Sequence, residues 1–282
     1  MTAMTPIRTD PDGLTFRPLS SIADYHACID LQRATWGQDF SDVVPLSIQK
    51  IVQKTGGIVA GAFSSDGSDA RMLGFVLGLA AVRDGRPFHW SHMLAVDPAG
   101  RDLGLGTRLK LYQRECLLPL GIDEVQWTYD PLEARNAHLN FNHLGIGVAE
   151  YAEDMYEGEL FSDLAKGIGT DRFVASWRIA SDRVARALRD HRAGSDEPFR
   201  DAPVVNPGAE VVEIEALPAA PRVRVEIPAN IQAVKSERPD EAVAWRESTR
   251  RAFETYLARG HRVEVFYRDP TTGRCFYGLE ME

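Results

Sequence analysis

From residue 13 to residue 19 the chain reads GLTFRPL, alternating apolar and polar positions at the two-residue period of a strand. The period then changes. In SSIADYHACIDLQRATWG, residues Ile22, Tyr25, Ile29 and Trp36 recur near multiples of 3.6, which predicts a helix ended by Gly37. PLSIQKIVQKTGG predicts a second short helix opening near Pro45, with GIVAGAF a buried strand behind it. RMLGFVLGLAAVRDGRPFHWSHMLAVD reads as two strands joined by the turn RDGRP, an antiparallel hairpin.

After RDLGLG (101–106), Leu105, Leu109, Tyr112 and Cys116 form the apolar stripe of a helix closed by Gly121. DEVQWTYD is the next strand, PLEARNAHLNFNHLG a helix with Pro131 near its start, and GVAEYAEDMY and DRFVASWRIA two further strands. The order β-α-α-β-β-β-α-β-α-β-β departs from the strict alternation of a doubly wound parallel sheet. It predicts an α/β (α+β) chain with a mixed, mostly antiparallel sheet flanked by helices.

SDRVARALRDHRAGSDEPFRDAPVVNPGAE begins as a helix and decays into polar, Pro-containing chain, so the expected organisation is a domain over 13–192, a connector over 193–208 and a β-α-β-β unit over 209–282. The helix of that last unit carries Trp245, Phe253 and Tyr256 on one face. A unit this small has a thin core of its own. It is therefore expected to pack on the first domain or at a homodimer interface.

Composition narrows the function classes. The 282 residues are 44% hydrophobic and 26% charged, an ordinary globular composition. No run approaches the roughly 18 apolar residues of a membrane span, and the first residues, MTAMTPIRTDPDG, lack the apolar core of a secretory signal. A cytoplasmic location, with no membrane partner, is the expectation. The net charge of −9, from 32 basic and 41 acidic residues, argues against a nucleic-acid partner. Cys28, Cys116 and Cys275 lie far apart with no C-x-x-C pair and no clustered histidines, so they read as core thiols and no metal site is expected.

The glycines at 104 and 106 remain to be explained. A strand ending at Val96, a turn, and Gly-x-Gly opening an amphipathic helix bring several unpaired amides together at a positive helix terminus, where the missing Cβ atoms let an anion approach. Phosphate fits such a site. The G-x-x-x-x-G-K-[ST] loop is absent, and a dinucleotide G-x-G-x-x-G would need glycine at Leu109.

MLAVDPAGRDLGLGTRLK resembles the acyl-CoA-binding signature of the GNAT superfamily of N-acyltransferases, with Arg101, Gly104 and Gly106 on its three defining positions; the order of elements agrees with that fold over roughly residues 13–180. The resemblance implies acetyl-CoA or another acyl-CoA such as succinyl-CoA as co-substrate, with its pyrophosphate on the segment Arg101, Asp102, Leu103, Gly104, Leu105, Gly106 and Thr107. It also implies a pantetheine arm laid along the backbone of Leu94 and Val96 beside a bulge, and a coenzyme contact at Asn136. WTYDPLEARNAHLNFNHLGI and GTDRFVASWRIA further resemble a bacterial subfamily of acyltransferases associated with N-acylamino-acid racemase or O-succinylbenzoate synthase-like enzymes. That points to an amino acid amine as acceptor.

Acyl transfer needs a base for the amine and help for the departing thiolate. HWSHMLAV offers His89, Ser91 and His92 and no carboxylate. Alternation puts His92 on the face of Leu94 and Val96 unless a bulge resets the parity, and its ordinary pKa of about 6.5 suits a base. The family's usual tyrosine, four residues before Gly145, is replaced by Phe141, which leaves Tyr129 as the nearest substitute acid. Asp130 and Glu133 flank the next helix start, where amine recognition, a water-held base and helix-end stabilisation are all open readings. Arg172 is a candidate grip for an acceptor carboxylate. Tyr25 and Trp36 read as core, with Trp36 also a candidate wall of the acceptor pocket. Two functions follow: an N-acyltransferase working by direct attack in a ternary complex, or an acyl-CoA-binding module that has lost its acid and engages a protein partner.

Overall fold

The computed structural model describes residues 6–64, 70–156 and 167–282. The chain forms two compact units, one of residues 6–127 with Arg178–Ala180, the other of residues 128–156, 167–177 and 181–282. This division does not coincide with the polar connector.

In the first unit a short strand β1 (Arg8–Thr9) pairs with β2 (Thr15–Pro18). Helices α1 (Ile22–Trp36) and α2 (Leu46–Lys54) follow, then strands β3 (Ile58–Phe63), β4 (Met72–Arg83) and β5 (Arg86–Val96), helix α3 (Leu105–Leu117) and the start of β6 (Glu124–Tyr129). Neighbours from β1 to β5 pair antiparallel, and β5 pairs with β6 in parallel, so the sheet is mixed. The expected order of elements is present.

Helix α1 starts where its sequence provides a cap: Ser21 accepts from the Asp24 amide and Asp24 accepts from the Ser21 amide, a reciprocal box. Arg17 grips the same carboxylate at 2.7 and 3.0 Å, tying the helix start to β2. The helix ends at Gly37, as its pattern indicates. Its inward face differs from the expected stripe. Ile22 is exposed and Ile29 half-buried, whereas Tyr25, Cys28, Leu31 and Gln32 are buried. Polar anchors set this rotation: the Tyr25 hydroxyl reaches Gln53 at 2.6 Å, and Gln32 accepts from the Val44 amide at 2.8 Å.

The core over α1 and α2 also takes Phe63, Phe75, Leu77, Met93 and Ala95 from the sheet. Across the sheet, α3 buries Leu105, Leu109, Tyr112 and Cys116, the expected stripe, together with Lys110, Gln113 and Leu117 beside it. The buried face of α3 is thus wider than its apolar stripe.

The second unit holds helix α4 (Ala134–His138), which widens into a π turn over Leu139–Leu144, strands β7 (Gly147–Ala152) and β8 (Arg172–Arg178), and helix α5 (Asp182–Asp190). It continues with β9 (Arg222–Ile227), α6 (Ile231–Glu237), α7 (Pro239–Ala258), β10 (His261–Arg268) and β11 (Cys275–Met281). The last three strands form an antiparallel sheet in the order β10-β11-β9.

Trp245, Phe253 and Tyr256 of α7 are buried, as their spacing requires. Phe253 meets Phe173 of β8, Tyr151 of β7 and Tyr277 of β11, so the C-terminal elements share one aromatic core with β7 and β8. The connector is also packed. Phe199, Val205 and Asn206 are buried, Val204 bridges to Arg224, and the Asn206 side chain pairs with both backbone groups of Glu226 at 2.8 and 2.9 Å.

Candidate active site

The glycine stretch begins at Asp97, whose carboxylate accepts from the Ala99 amide and from Arg71. A 3₁₀ turn over Pro98–Leu103 ends in Gly104, which has φ +64 and ψ 22 and leads directly into α3. That left-handed conformation is cheap only for glycine. A Cβ built on Gly104 meets nothing within 4 Å, so the residue borders open space and its role there is not packing. The first amide bonded within α3 is that of Arg108, to the Gly104 carbonyl, which leaves the amides of Leu105, Gly106 and Thr107 without intrahelical acceptors. These amides and the helix dipole suit a phosphate. Leu103 is exposed, Thr107 half-buried and Leu105 buried. Arg101 and Asp102 lie in the 3₁₀ turn by backbone; their side chains fall outside the described residues. Arg108 is engaged elsewhere, by Asp10.

β5 leads into this loop and carries the expected bulge. Leu77 faces Met93 and Leu79 faces Trp90, so Ser91 and His92 together oppose Gly78. A Cβ on Gly78 would lie 2.2 Å from the His89 ring and 2.7 Å from the Trp90 carbonyl, a close approach only glycine permits. The bulge resets the alternation: Met93 and Ala95 join the core of α1 and α2, whereas His89 and Ser91 contact α3. Leu94 and Val96, half-buried, thus belong to the α3 side. His92 is the second residue of the bulge. It is exposed, and the charge acting on it is Asp42, from the chain between α1 and α2. Desolvation holds its pKa below the usual 6.5 against the opposing pull of Asp42, so the imidazole is mostly neutral at pH 7.

Among the described residues, no strand pairs with the far edge of β5 beyond the bulge. β5 pairs with β6 only through His89↔Val125 and Trp90↔Gln126, so from Ser91 to Val96 its far edge is free of β6. The strand that ends at the phosphate-type loop therefore offers main-chain groups for an extended ligand.

Beneath the bulge lies a polar cluster. His89 is fully buried with its Nε2 3.0 Å from Gln113, and burial followed by the Lys110 charge lowers its pKa to about 3. Lys110, 5% exposed, donates to Ser91 Oγ at 2.8 Å and stands 3.6 Å from the centroid of the Trp127 ring. Trp36, the candidate pocket wall, packs on the α1 core, stacked on Phe40 with centroids 5.7 Å apart.

The second unit has its own charged centre. Asp130 accepts from Arg246 at 2.6 Å and lies 3.8 Å from Arg172. Both arginines are buried, and burial lowers the Arg172 pKa with Arg246 adding to the effect. Glu133 is half-buried and accepts from Gln232 at 2.7 Å; desolvation raises its pKa despite that hydrogen bond. Asn136 is exposed on α4. Tyr129 is 5% exposed, its ring 5.8 Å from Phe173, and burial drives its pKa up. Phe141, at the tyrosine position, is 1% exposed in the same aromatic core. Arg246, Lys110 and Gly78 were not among the expected site residues. Among the described residues no group of histidines, cysteines and carboxylates could hold a metal ion, and no helix is long and apolar enough to cross a membrane.

No protein-family model and no curated protein matches the chain. Among solved structures it is similar to that of the NatC complex bound to Gag peptide and CoA, at 15% identity over 58% of this chain and 98% of that one, with a TM-score of 0.48. It is similar to yncA of Salmonella typhimurium with acetyl-CoA, at 16% identity over 60% and 95%, with a TM-score of 0.46. It is also similar to the ribosomal-protein-S18-alanine N-acetyltransferase of Escherichia coli, at 18% identity over 60% and 95%, with a TM-score of 0.42.

Proposed function

We propose that the protein is an acyl-CoA-dependent N-acyltransferase of the GNAT type, transferring an acetyl or succinyl group to a primary amine, with the amine of an amino acid as the favoured acceptor. The observation that carries this reading is Gly104: a left-handed glycine facing open space at the start of α3, directly after a strand whose edge is free beyond a bulge. The free amides of the α3 start suit the coenzyme pyrophosphate, and the edge of β5 through Leu94 and Val96 suits its pantetheine arm. An amide on that edge would polarise the thioester carbonyl as the oxyanion develops.

His92 acts in this reading as the base that removes a proton from the acceptor ammonium, a role supported by its exposure and its neutral imidazole. Glu133, with its raised pKa, is the second candidate, through a bound water. Arg172 is assigned to the acceptor carboxylate. The protein works in the cytoplasm as a homodimer.

One observation favours the alternative of an acyl-CoA-binding module with little activity. Phe141 has no proton to donate and the Tyr129 hydroxyl is enclosed, so neither residue is a ready acid. Calorimetry with coenzyme A and a thiol-release assay over amino acids and amines, with acetyl- and succinyl-CoA, separate the readings. Binding with release supports the enzyme, binding alone the module, and no binding removes both.

A further inference from the structure

Lys110 is the side chain the proposed reaction leaves unexplained. An apolar residue at this position would fill the space under β5 without burying an amine. The lysine instead reaches Ser91, the first residue of the bulge, with both side chains within 5% of full burial. The groups facing its amine are Ser91 from β5, Trp127 from β6 and, as the titratable neighbour, His89, which Gln113 of α3 holds. Burial lowers the amine well below the ordinary lysine range and so favours its neutral, proton-accepting form.

The position along β5 is as informative as the contact. The five steps from Val96 back to Ser91 cover about 17 Å. A pantetheine arm has about as many main-chain bonds, from phosphate to sulfur, as four or five residues, and reaches about 15 Å extended. An arm anchored on the start of α3 and following the free edge of β5 therefore brings its sulfur to the neighbourhood of Ser91, where the β5–β6 pairing closes at Trp90↔Gln126.

We propose that Ser91 and Lys110 form a proton relay at the closed end of the β5–β6 opening, with Ser91 Oγ touching the thioester sulfur and Lys110 acting through it. This rests on the acyltransferase reading. The proton removed by His92 before attack goes to solvent. The amine nitrogen then bonds to the acyl carbon and becomes cationic. Its excess proton passes through Ser91 to Lys110, and returns through Ser91 to the sulfur as the carbon–sulfur bond breaks. Nitrogen loses two protons in all, one to solvent by way of His92 and one through the relay to sulfur, and the lysine ends as it began. The relay supplies what Phe141 cannot.

The test compares Ser91→Ala, Lys110→Met and Lys110→Arg with the wild type from pH 6.5 to pH 9.5. Coenzyme A affinity should be unchanged, and kcat near pH 7 should fall by about 100-fold. The deficit should shrink above about pH 8.5, where a thiol leaves as thiolate without a proton. Lys110→Arg should not rescue, because a guanidinium stays protonated and cannot accept. Ser91→Ala changes little volume and carries the test if Lys110→Met does not fold. An unchanged kcat, or a loss by the same factor at every pH, overturns the relay. A wild type that neither binds coenzyme A nor releases thiol instead refutes the acyltransferase reading, and is distinguishable from either result.

Discussion

The rings of Phe173 and Phe253 meet edge to face with centroids 4.6 Å apart, one from β8 and the other from α7. Both are fully buried, and Tyr277 of β11 closes on each of them at 5.5 Å. Deleting residues 209–282 would strip these partners from β7 and β8 and expose aromatic surface. The truncated protein should be insoluble on expression, while Phe253→Ala in the full chain should cost about 3–5 kcal/mol by urea unfolding. A soluble truncation with unchanged activity would show that the aromatic core is dispensable.

Two glycine substitutions should separate coenzyme binding from folding. Gly104→Ala places a Cβ at φ +64 and should cost about 1 kcal/mol of stability. Gly106→Ala lies in the first turn of α3 and should leave stability equal or raise it by up to about 1 kcal/mol. Both should weaken coenzyme A binding at least tenfold in calorimetry. Full affinity in Gly106→Ala would place the pyrophosphate elsewhere.

His92→Ala should lower kcat by about 100-fold with little change in coenzyme A affinity. Because the folded pKa lies below 6.5, wild-type kcat/KM should rise through an apparent pKa on the acid side of that value, and the variant should lack this limb. An identical profile in the variant would transfer the base role to a water held by Glu133.

His89 should make the fold acid-sensitive. Its pKa of about 3 in the folded protein lies below the ordinary 6.5, so between those values the unfolded chain binds the extra proton. Stability is therefore present above pH 6.5 and falls as pH drops, by about 1.4 kcal/mol per unit, or about 2 kcal/mol at pH 5. Urea unfolding of the wild type and His89→Gln at pH 7 and pH 5 checks this: the variant should lose less between the two. Equal losses would mean that the buried imidazole finds a proton partner.

Much of the fold is legible in the periodicity of the chain, because most elements bury one face and the apolar spacing records it. Helix α3 and its glycine start are examples. Where polar residues set the orientation, the pattern misleads: α1 turns Ile22 outward because Tyr25 and Gln32 are anchored to Gln53 and Val44. Helix α6 is not legible in the periodicity because it has seven residues and no repeating stripe. The bulge at Ser91 and His92 is a matter of register against Gly78, so no local signal fixes which face His92 takes. Lys110 and Arg246 look like solvated charges in their helices. Only tertiary packing sets one against Ser91 and the other against Asp130, 116 positions away in the chain.

The free edge of β5 has a cost before any ligand arrives. From Met93 to Val96 the strand is laddered on the β4 side and free of β6 on the other, which makes this stretch an interior counterpart of a sheet edge. Such a stretch is competent to pair with any extended chain that reaches it, a nascent polypeptide or another copy of the protein included. An acyl-CoA lying along it would act as a removable strand. On the acyltransferase reading proposed above, the protein without that ligand should be more prone to aggregate and more open to amide exchange along this stretch than the protein that holds it.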